Sequence, residues 1–411
     1  MSDESSFQQV AKSIWDNAVA EGFRGYDPYD GLNSRFLWPV VKRSRFMRLA
    51  LQQAVKRSPL NLRPLIGVRP GLNPKGLALF LRGAANARFI ELGDPVFKQL
   101  GQMLLAASST PQGVQFFGQD RESLESREVT PEEVNLLQSG RIGWGYDFPW
   151  QGKGFFLPAF FPTAVCTCFV VEALRKSRHK LYEPIARAAA RFVNFDLACA
   201  RMPEGICFSY SPRDDTCIYN ASLYAAKLLA LGWKSGGPAL WRDDALEAVR
   251  FVISTQREDG SWVYGKGNDW DWVDGLHTGF VLETLEDLAR ILGTDDFDHA
   301  ITNGLAYYSE KLFESDGTAL SKPGERYPMD PHTYAQGAIT FLRLDRHCPD
   351  SRPFAASILR KAIGELWDPD EGVFRTRSSP KSTQSTRFIR WSQAWMFRAL
   401  AYSISKGSGP K

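Results

Sequence analysis

Two kinds of helical stretch alternate along the chain. One spaces its apolar residues at i, i+3 and i+4 and keeps charges on the other side. Residues 181–200, 240–255, 297–313 and 353–366 read this way, with Arg242, Asp243, Glu247 and Arg250 forming the charged side of the second. The other kind is apolar nearly all round, as in ASLYAAKLLALG and YAQGAITFLRL, and covers 163–175, 220–231, 277–292, 333–344 and 391–403. A helix with one apolar stripe lies on a surface, whereas one with no polar face is buried. The pattern predicts an outer and an inner layer of helices.

A recurring glycine, followed closely by a hydrophobic residue, marks the joints between them. Gly143, Gly205, Gly260, Gly317 and Gly372 are separated by 62, 55, 57 and 55 residues. Internal periods of this length signify repeat architectures. Each unit reads as an outer helix, a turn or short hairpin, a long loop and an inner helix. The N-terminal third supplies two further pairs, 43–56 with 75–88 and 95–107 with 163–175, preceded by an extra helix near 5–20. Six such hairpins closing on themselves give an all-α fold, an (α/α)6 toroid. The expected divisions are an N-terminal helix with the YDPYD loop (1–34), the toroid (35–405) and a disordered tail (406–411). The charged stretch 120–140 is expected as a surface excursion.

Composition narrows the classes without choosing among them. The chain has 411 residues, 44% hydrophobic and 23% charged, as in ordinary globular proteins. A net charge of +4 is too mild to call for nucleic acid. The N-terminus lacks the basic start and apolar core of a signal peptide, and no apolar run is long enough to span a membrane. The cytoplasm is the default location. The six cysteines show no zinc-type CxxC pairing and are expected to be reduced and buried. No metal or cofactor is expected.

In a closed ring of such hairpins the inner helices are parallel, so their N-termini and the long loops wall a funnel at one end. One of these long loops belongs to QREDGSWVYGKGNDWDWVDGLHTGFVLET, residues 256–284. Long loops on a rigid scaffold are usually functional. Two units place an Asp and a His within three residues of an inner-helix start, Asp274 with His277 and Asp330 with His332, each His followed by Thr. Candidate acid–base residues are Asp147, Asp271, Asp274, His277 and His332. Candidate substrate-binding residues are Tyr26, Asp27, Asp30, Tyr146, Trp150, Tyr210, Arg213, Asn220, Tyr264, Trp270, Trp272, Arg326, Asp330, Arg387 and Trp391. Aromatic faces stack on sugar C–H surfaces while carboxylates and amides meet hydroxyls. The plainer alternatives are that Asp274 and Asp330 only cap helices, that both histidines are packed core, and that Trp262 wedges hairpins together.

The segment QREDGSWVYG is similar to the Q-x-x-D-G-S-W repeat of terpenoid cyclases and other α/α toroids. More broadly the layout resembles six-hairpin glycosidases and the uronate-active lyases and epimerases of the (α/α)6 class. GYDPYDGLNS and VDGLHTGFVLETL resemble segments of proteins encoded in bacterial capsule and exopolysaccharide loci. The D-x-D-D acid motif of the cyclases is broken here by Asp269-Trp270-Asp271-Trp272, which argues against terpene chemistry. The resemblance implies a carbohydrate-active protein on an oligo- or polysaccharide, acidic in one version, with hydrolysis favoured and paired carboxylates as its machinery. A uronate lyase or epimerase using His277, Tyr and Arg is the first alternative. A non-catalytic glycan-binding protein, associated peripherally with polysaccharide assembly machinery, is the second.

Overall fold

The computed structural model, which describes residues 3–407 apart from 92, 118–120, 122–124, 126, 153, 381 and 385, sets the two kinds of helix in two concentric layers. The inner layer is Pro74–Ala84, Ala164–Lys176, Tyr219–Lys234, Gly275–Leu292, Pro331–Arg343 and Trp395–Gly407. Each packs on the next, and the last returns to the first, so the ring is closed. The burial follows the sequence pattern: in Pro331–Arg343 every residue but the last is buried. The all-α toroid expected from the repeat is the fold observed, and the described strands are four short two-stranded hairpins.

The repeated glycine has a steric cause. Gly260 takes φ +87°, and a Cβ there would stand 2.4 Å from the carbonyl of Asn303 on the following outer helix, Asp298–Leu312. Gly205 and Gly317 meet Ala239–Ser254 and Ser351–Leu366 in the same way. Gly372, the last of the series, meets Ser13. The outer helix that follows the final unit is therefore Asp3–Ala20, at the other end of the chain. It buries Phe7, Val10, Ile14 and Trp15 and packs on Trp395–Gly407.

This changes the pairing at the N-terminus. The helix counted as an addition to six hairpins occupies an outer position in the ring. The segment 43–56, expected as the first outer helix, forms Arg45–Arg57 beside the mouth, packed on the 3-10 turn Asp30–Asn33 and the hairpin strand Trp150–Gln151. Only Gln52 and Val55 of that helix are buried. The final helix runs through Gly407, and Lys406 of the expected tail pairs with Asp345; 408–411 lie outside the described residues. Within 120–140, Pro131–Ser139 is a helix with a Thr130–Glu133 capping box; 120, 122–124 and 126 lie outside the described residues. Trp262 is a wedge, buried against Gly304 with its indole N–H donating to the Val252 carbonyl. The expectation of six reduced cysteines fails for Cys207 and Cys217, which form a disulfide with Cα atoms 5.9 Å apart. No helix among the described residues is long and apolar enough to cross a membrane.

Away from the mouth, the ring axis is filled by charge. Glu172 accepts from Arg82 at 2.9 Å and faces Lys227 at 2.7 Å, Lys227 and Arg343 pair with Asp287, and Arg398 pairs with Glu283. Buried charges persist only where they are partnered like this. The carboxyls of Glu172 and Glu283 are held well below the usual range by these cations, against the opposing effect of burial.

Candidate active site

At the mouth, four inner helices begin on side-chain caps. Asn73, Thr163, Asp274 and Asp330 accept from the backbone N–H groups of Lys75, Cys166, His277 and His332. The capping reading of Asp274 and Asp330 is thus correct, and it has consequences. A cap fixes which side chains follow it, and Lys75, Val165, His277 and His332, two or three places after their caps, line a cavity of about 390 Å³.

Of the residues singled out in the sequence, this cavity brings together Tyr146, Trp150, Tyr210, Asn220, Tyr264, Trp270, Trp272, His277, His332 and Trp391. Their packing is continuous. Tyr264 stacks on Trp272 at 4.4 Å and meets the His277 ring edge-on at 4.4 Å; Trp150 leans on Tyr210. The phenols are half-buried, and loss of solvent pushes Tyr146 up to about 12 and keeps it protonated.

The two histidines differ. Asp274 caps its helix with Oδ1 and holds His277 Nδ1 with Oδ2 at 2.6 Å, while the Trp272 indole N–H donates to the same carboxylate at 3.1 Å. Fixed through Nδ1, the ring has Nε2 as its other functional nitrogen. His332 is buried and, among the described residues, neither ring nitrogen has a hydrogen-bond partner. It stacks on Trp395 at 4.4 Å and meets Trp391 edge-on at 4.5 Å, and Trp391 Nε1 donates to both oxygens of Asp330. Burial, then the nearby Lys75 and Arg390, holds His332 well below the ordinary imidazole value, so it is neutral.

Other candidates stand elsewhere. Asp27 lies behind the wall and accepts from Arg390 at 2.6 and 2.8 Å; Asp30 accepts from Arg63 at 2.6 Å, and Tyr26 pairs its backbone with Ile389. Asp147 is not part of the cavity lining; it lies against Gly71, accepting from Asn73 at 2.7 Å, and burial, then Asp27, raises it to about 7. Asp271 is on the surface, paired with Arg257. Arg213 covers the Phe161 ring, Arg326 faces Glu314 and Arg387 pairs with Glu21.

Two cationic groups complete the lining, and Lys75 was not among the sequence candidates. Lys75 is 4% exposed, and its amine lies 4.1 Å over the Phe169 ring and 5.2 Å over Phe280. No carboxylate within ion-pair distance of it appears among the described residues. Burial, then Arg390, lowers its pKa to about 7. Arg390 comes from a π-helical turn, Ile389–Ala394, that opens the last inner helix; such turns recur at functional sites. Lys75 stands two places after its cap, as His332 does, and that shared offset was the available signal.

Among the described residues, no Asp or Glu lines the cavity. Its polar equipment is two imidazoles, tyrosines, amides and the cations Lys56, Lys75 and Arg390.

No protein-family model matches the chain, and no curated protein sequence does. Solved structures do. The chain is similar to a sugar epimerase from a ruminal bacterium (12% identity, 82% of this chain and 88% of that one, TM-score 0.52). It is similar also to cellobiose 2-epimerase from Bacillus thermoamylovorans (10%, 81% and 87%, 0.55). A third is a variant of the unsaturated glucuronyl hydrolase from Streptococcus agalactiae (12%, 98% and 91%, 0.53). At these identities the likeness carries the fold: the chain is an α/α toroid.

Proposed function

We propose that the protein is a uronate epimerase, acting on an acidic oligo- or polysaccharide by moving the proton on the carbon beside the uronate carboxylate. The observation that carries this reading is the make-up of the cavity: an Asp-held imidazole and, among the described residues, an amine with no carboxylate at ion-pair distance and no carboxylate in the lining. Glycoside hydrolysis, favoured from the sequence, calls for two carboxyl groups flanking one bond. Asp147 and Asp271 face elsewhere, and Asp274 is occupied by His277, Trp272 and the helix cap. Two of the structural neighbours are sugar epimerases, and a third acts on an unsaturated glucuronyl group.

The step assigns roles as follows. The uronate carboxylate meets the cationic groups of Lys75 and Arg390. His277, held through Nδ1 by Asp274, takes the C5 proton on Nε2; the C–H electron pair moves into an enolate shared with the carboxylate. Lys75 and the Tyr146 hydroxyl stabilise the charge that develops there. Return of a proton from the Lys75 ammonium to the opposite face gives the inverted sugar and leaves the neutral amine; solvent then takes the proton from His277 and restores that of Lys75, while neutral His332 serves as a hydrogen-bonding group. Loss of the group on C4 from the same enolate gives elimination, so a lyase shares the first half of the reaction. Trp270 and Trp272 stack on neighbouring sugar rings.

The test is solvent exchange. Glucuronate-, mannuronate- and galacturonate-containing oligosaccharides are incubated with the protein in D2O and read by NMR and mass spectrometry. Deuterium at C5 with an inverted product is expected. A conjugated, ultraviolet-absorbing product replaces epimerase by lyase, reducing-end release without exchange restores the hydrolase, and binding without exchange leaves a glycan-binding protein.

A further inference from the structure

The flap beside the mouth carries a charge distribution unlike the rest of the chain. Between positions 31 and 90 there is no Asp or Glu, and 35–69 holds nine Lys and Arg. That is +9 in a chain of net +4, leaving the remainder at −5. Arg63 is used by Asp30; for the other eight, no ion pair with a carboxylate is found among the described residues. Arg35, Lys42, Arg43, Arg45, Arg57 and Arg69 are exposed.

The same flap holds half of the large hydrophobic side chains that stand exposed among the described residues. Phe46 is 80% exposed, Leu65 77%, Leu60 71% and Phe36 66%, with Val40 and Met47 beside them. They share one folded unit. The Ser34 hydroxyl donates to the Ile66 carbonyl at 2.6 Å, Gly67 closes on the Phe36 ring, and Arg48 donates to the Lys42 carbonyl. The inward face of helix Arg45–Arg57, through Leu49, Gln52, Gln53 and Lys56, walls the cavity. The outward face carries Phe46.

From this combination we infer that the flap 35–69 docks on an anionic lipid bilayer, with Phe36, Phe46, Leu60 and Leu65 entering the interface and the exposed Arg and Lys meeting headgroup phosphates. Basic residues interspersed with exposed aromatic and aliphatic tips are the pattern of interfacial segments, and polybasic surfaces are drawn to anionic leaflets. Other occupants fit less well. A second copy would set +9 against +9. A soluble polyanion would satisfy the cations and leave Phe46 and Leu65 in water. Because the helix that carries Phe46 also walls the cavity, docking holds the mouth beside the headgroup layer.

The experiment is co-sedimentation of the full chain with vesicles of phosphatidylcholine alone and with added phosphatidylglycerol. Sedimentation with the anionic vesicles only, weakening with salt, is expected. Each charge removed should lower partition roughly fivefold, so Arg43→Gln/Arg45→Gln/Arg57→Gln should abolish it. Phe46→Ser/Leu65→Ser, which alters exposed positions only, should reduce it about tenfold or more with an unchanged circular dichroism spectrum. No sedimentation with anionic vesicles overturns the inference. So does full retention by Phe46→Ser/Leu65→Ser, which makes the flap a polyanion site, and so does dimerisation that the same variant removes. A protein partner that displaces the chain from vesicles and needs both sets of residues overturns it as well.

Discussion

Asp274–His277 and Asp330–His332 start from nearly the same few letters and end in opposite states. Both aspartates cap an inner helix. At the first, one oxygen is left for the imidazole and orients its ring through Nδ1. At the second, the indole of Trp391 takes both oxygens, and His332 is left between two tryptophans with no hydrogen-bond partner for its ring among the described residues. The cap decides that a histidine faces the cavity; a residue from another hairpin decides what it can do there. A buried imidazole with neither nitrogen satisfied costs about 1–3 kcal/mol for each group left unmet, a penalty that a ligand can relieve.

The strongest way to break the contrast is to replace each histidine. His277→Gln should lower turnover by about 10²–10⁴-fold, the usual worth of a general base, with little change in melting temperature. His332→Leu loses no internal hydrogen bond, so its melting temperature should hold or rise while turnover or affinity falls. If His332→Leu unfolds the protein instead, that histidine is structural and the two units are alike after all.

Lys75 sharpens the same comparison, since it follows its cap as His332 does but carries charge. Lys75→Met should weaken binding of uronate oligosaccharides roughly 10–100-fold, in line with about 1.5–3 kcal/mol for a hydrogen bond to a charged group. The sign of the pH effect follows from its pKa of about 7 in the free cavity. An anion favours the protonated amine, whose population falls above that value. Affinity should therefore fall as pH rises from 7 to 9, with proton uptake on binding; calorimetry in buffers of different ionisation enthalpy reads both. In Lys75→Met that pH dependence should vanish.

Asp274→Asn tests whether orientation matters beyond capping. Asn still caps, so stability should change by less than about 1 kcal/mol, whereas the His277 ring loses its carboxylate. A drop in turnover without a matching drop in melting temperature is expected. Trp270→Ala is the smallest change: about 0.5–1.5 kcal/mol of stacking, seen as up to roughly tenfold weaker glycan binding by fluorescence titration.

Much of the fold was legible because one physical event, a hairpin leaning on its outer neighbour, repeats with the same glycine. The aromatic and histidine part of the site was legible for the same reason, as inner-helix starts can be counted. What could not be read were long-range partners. Asp27 is taken by Arg390, 363 positions away, and Arg387 by Glu21, so two residues that looked ligand-facing are held by partners distant in the sequence. Helix 45–57 has an amphipathic period like that of an outer helix, and only its exposed Phe46 and Met47 reveal that no neighbour covers it. Lys75 sits in a helix whose composition reads as core, and nothing local announces an amine that faces a cavity.

The helix that closes the ring is made long before the helix it packs on. Asp3–Ala20 precedes Trp395–Gly407 by most of the described sequence, yet Phe7, Val10, Ile14 and Trp15 are buried where the two meet. Until Trp395–Gly407 is made, this greasy stripe has only part of its cover, with Trp15 meeting Phe23 and Phe80. A Cβ on Gly407 would stand 3.9 Å from the Glu4 carboxylate, so the two helices meet along a seam. A permuted chain that joins them and opens elsewhere would be born with the seam already sewn.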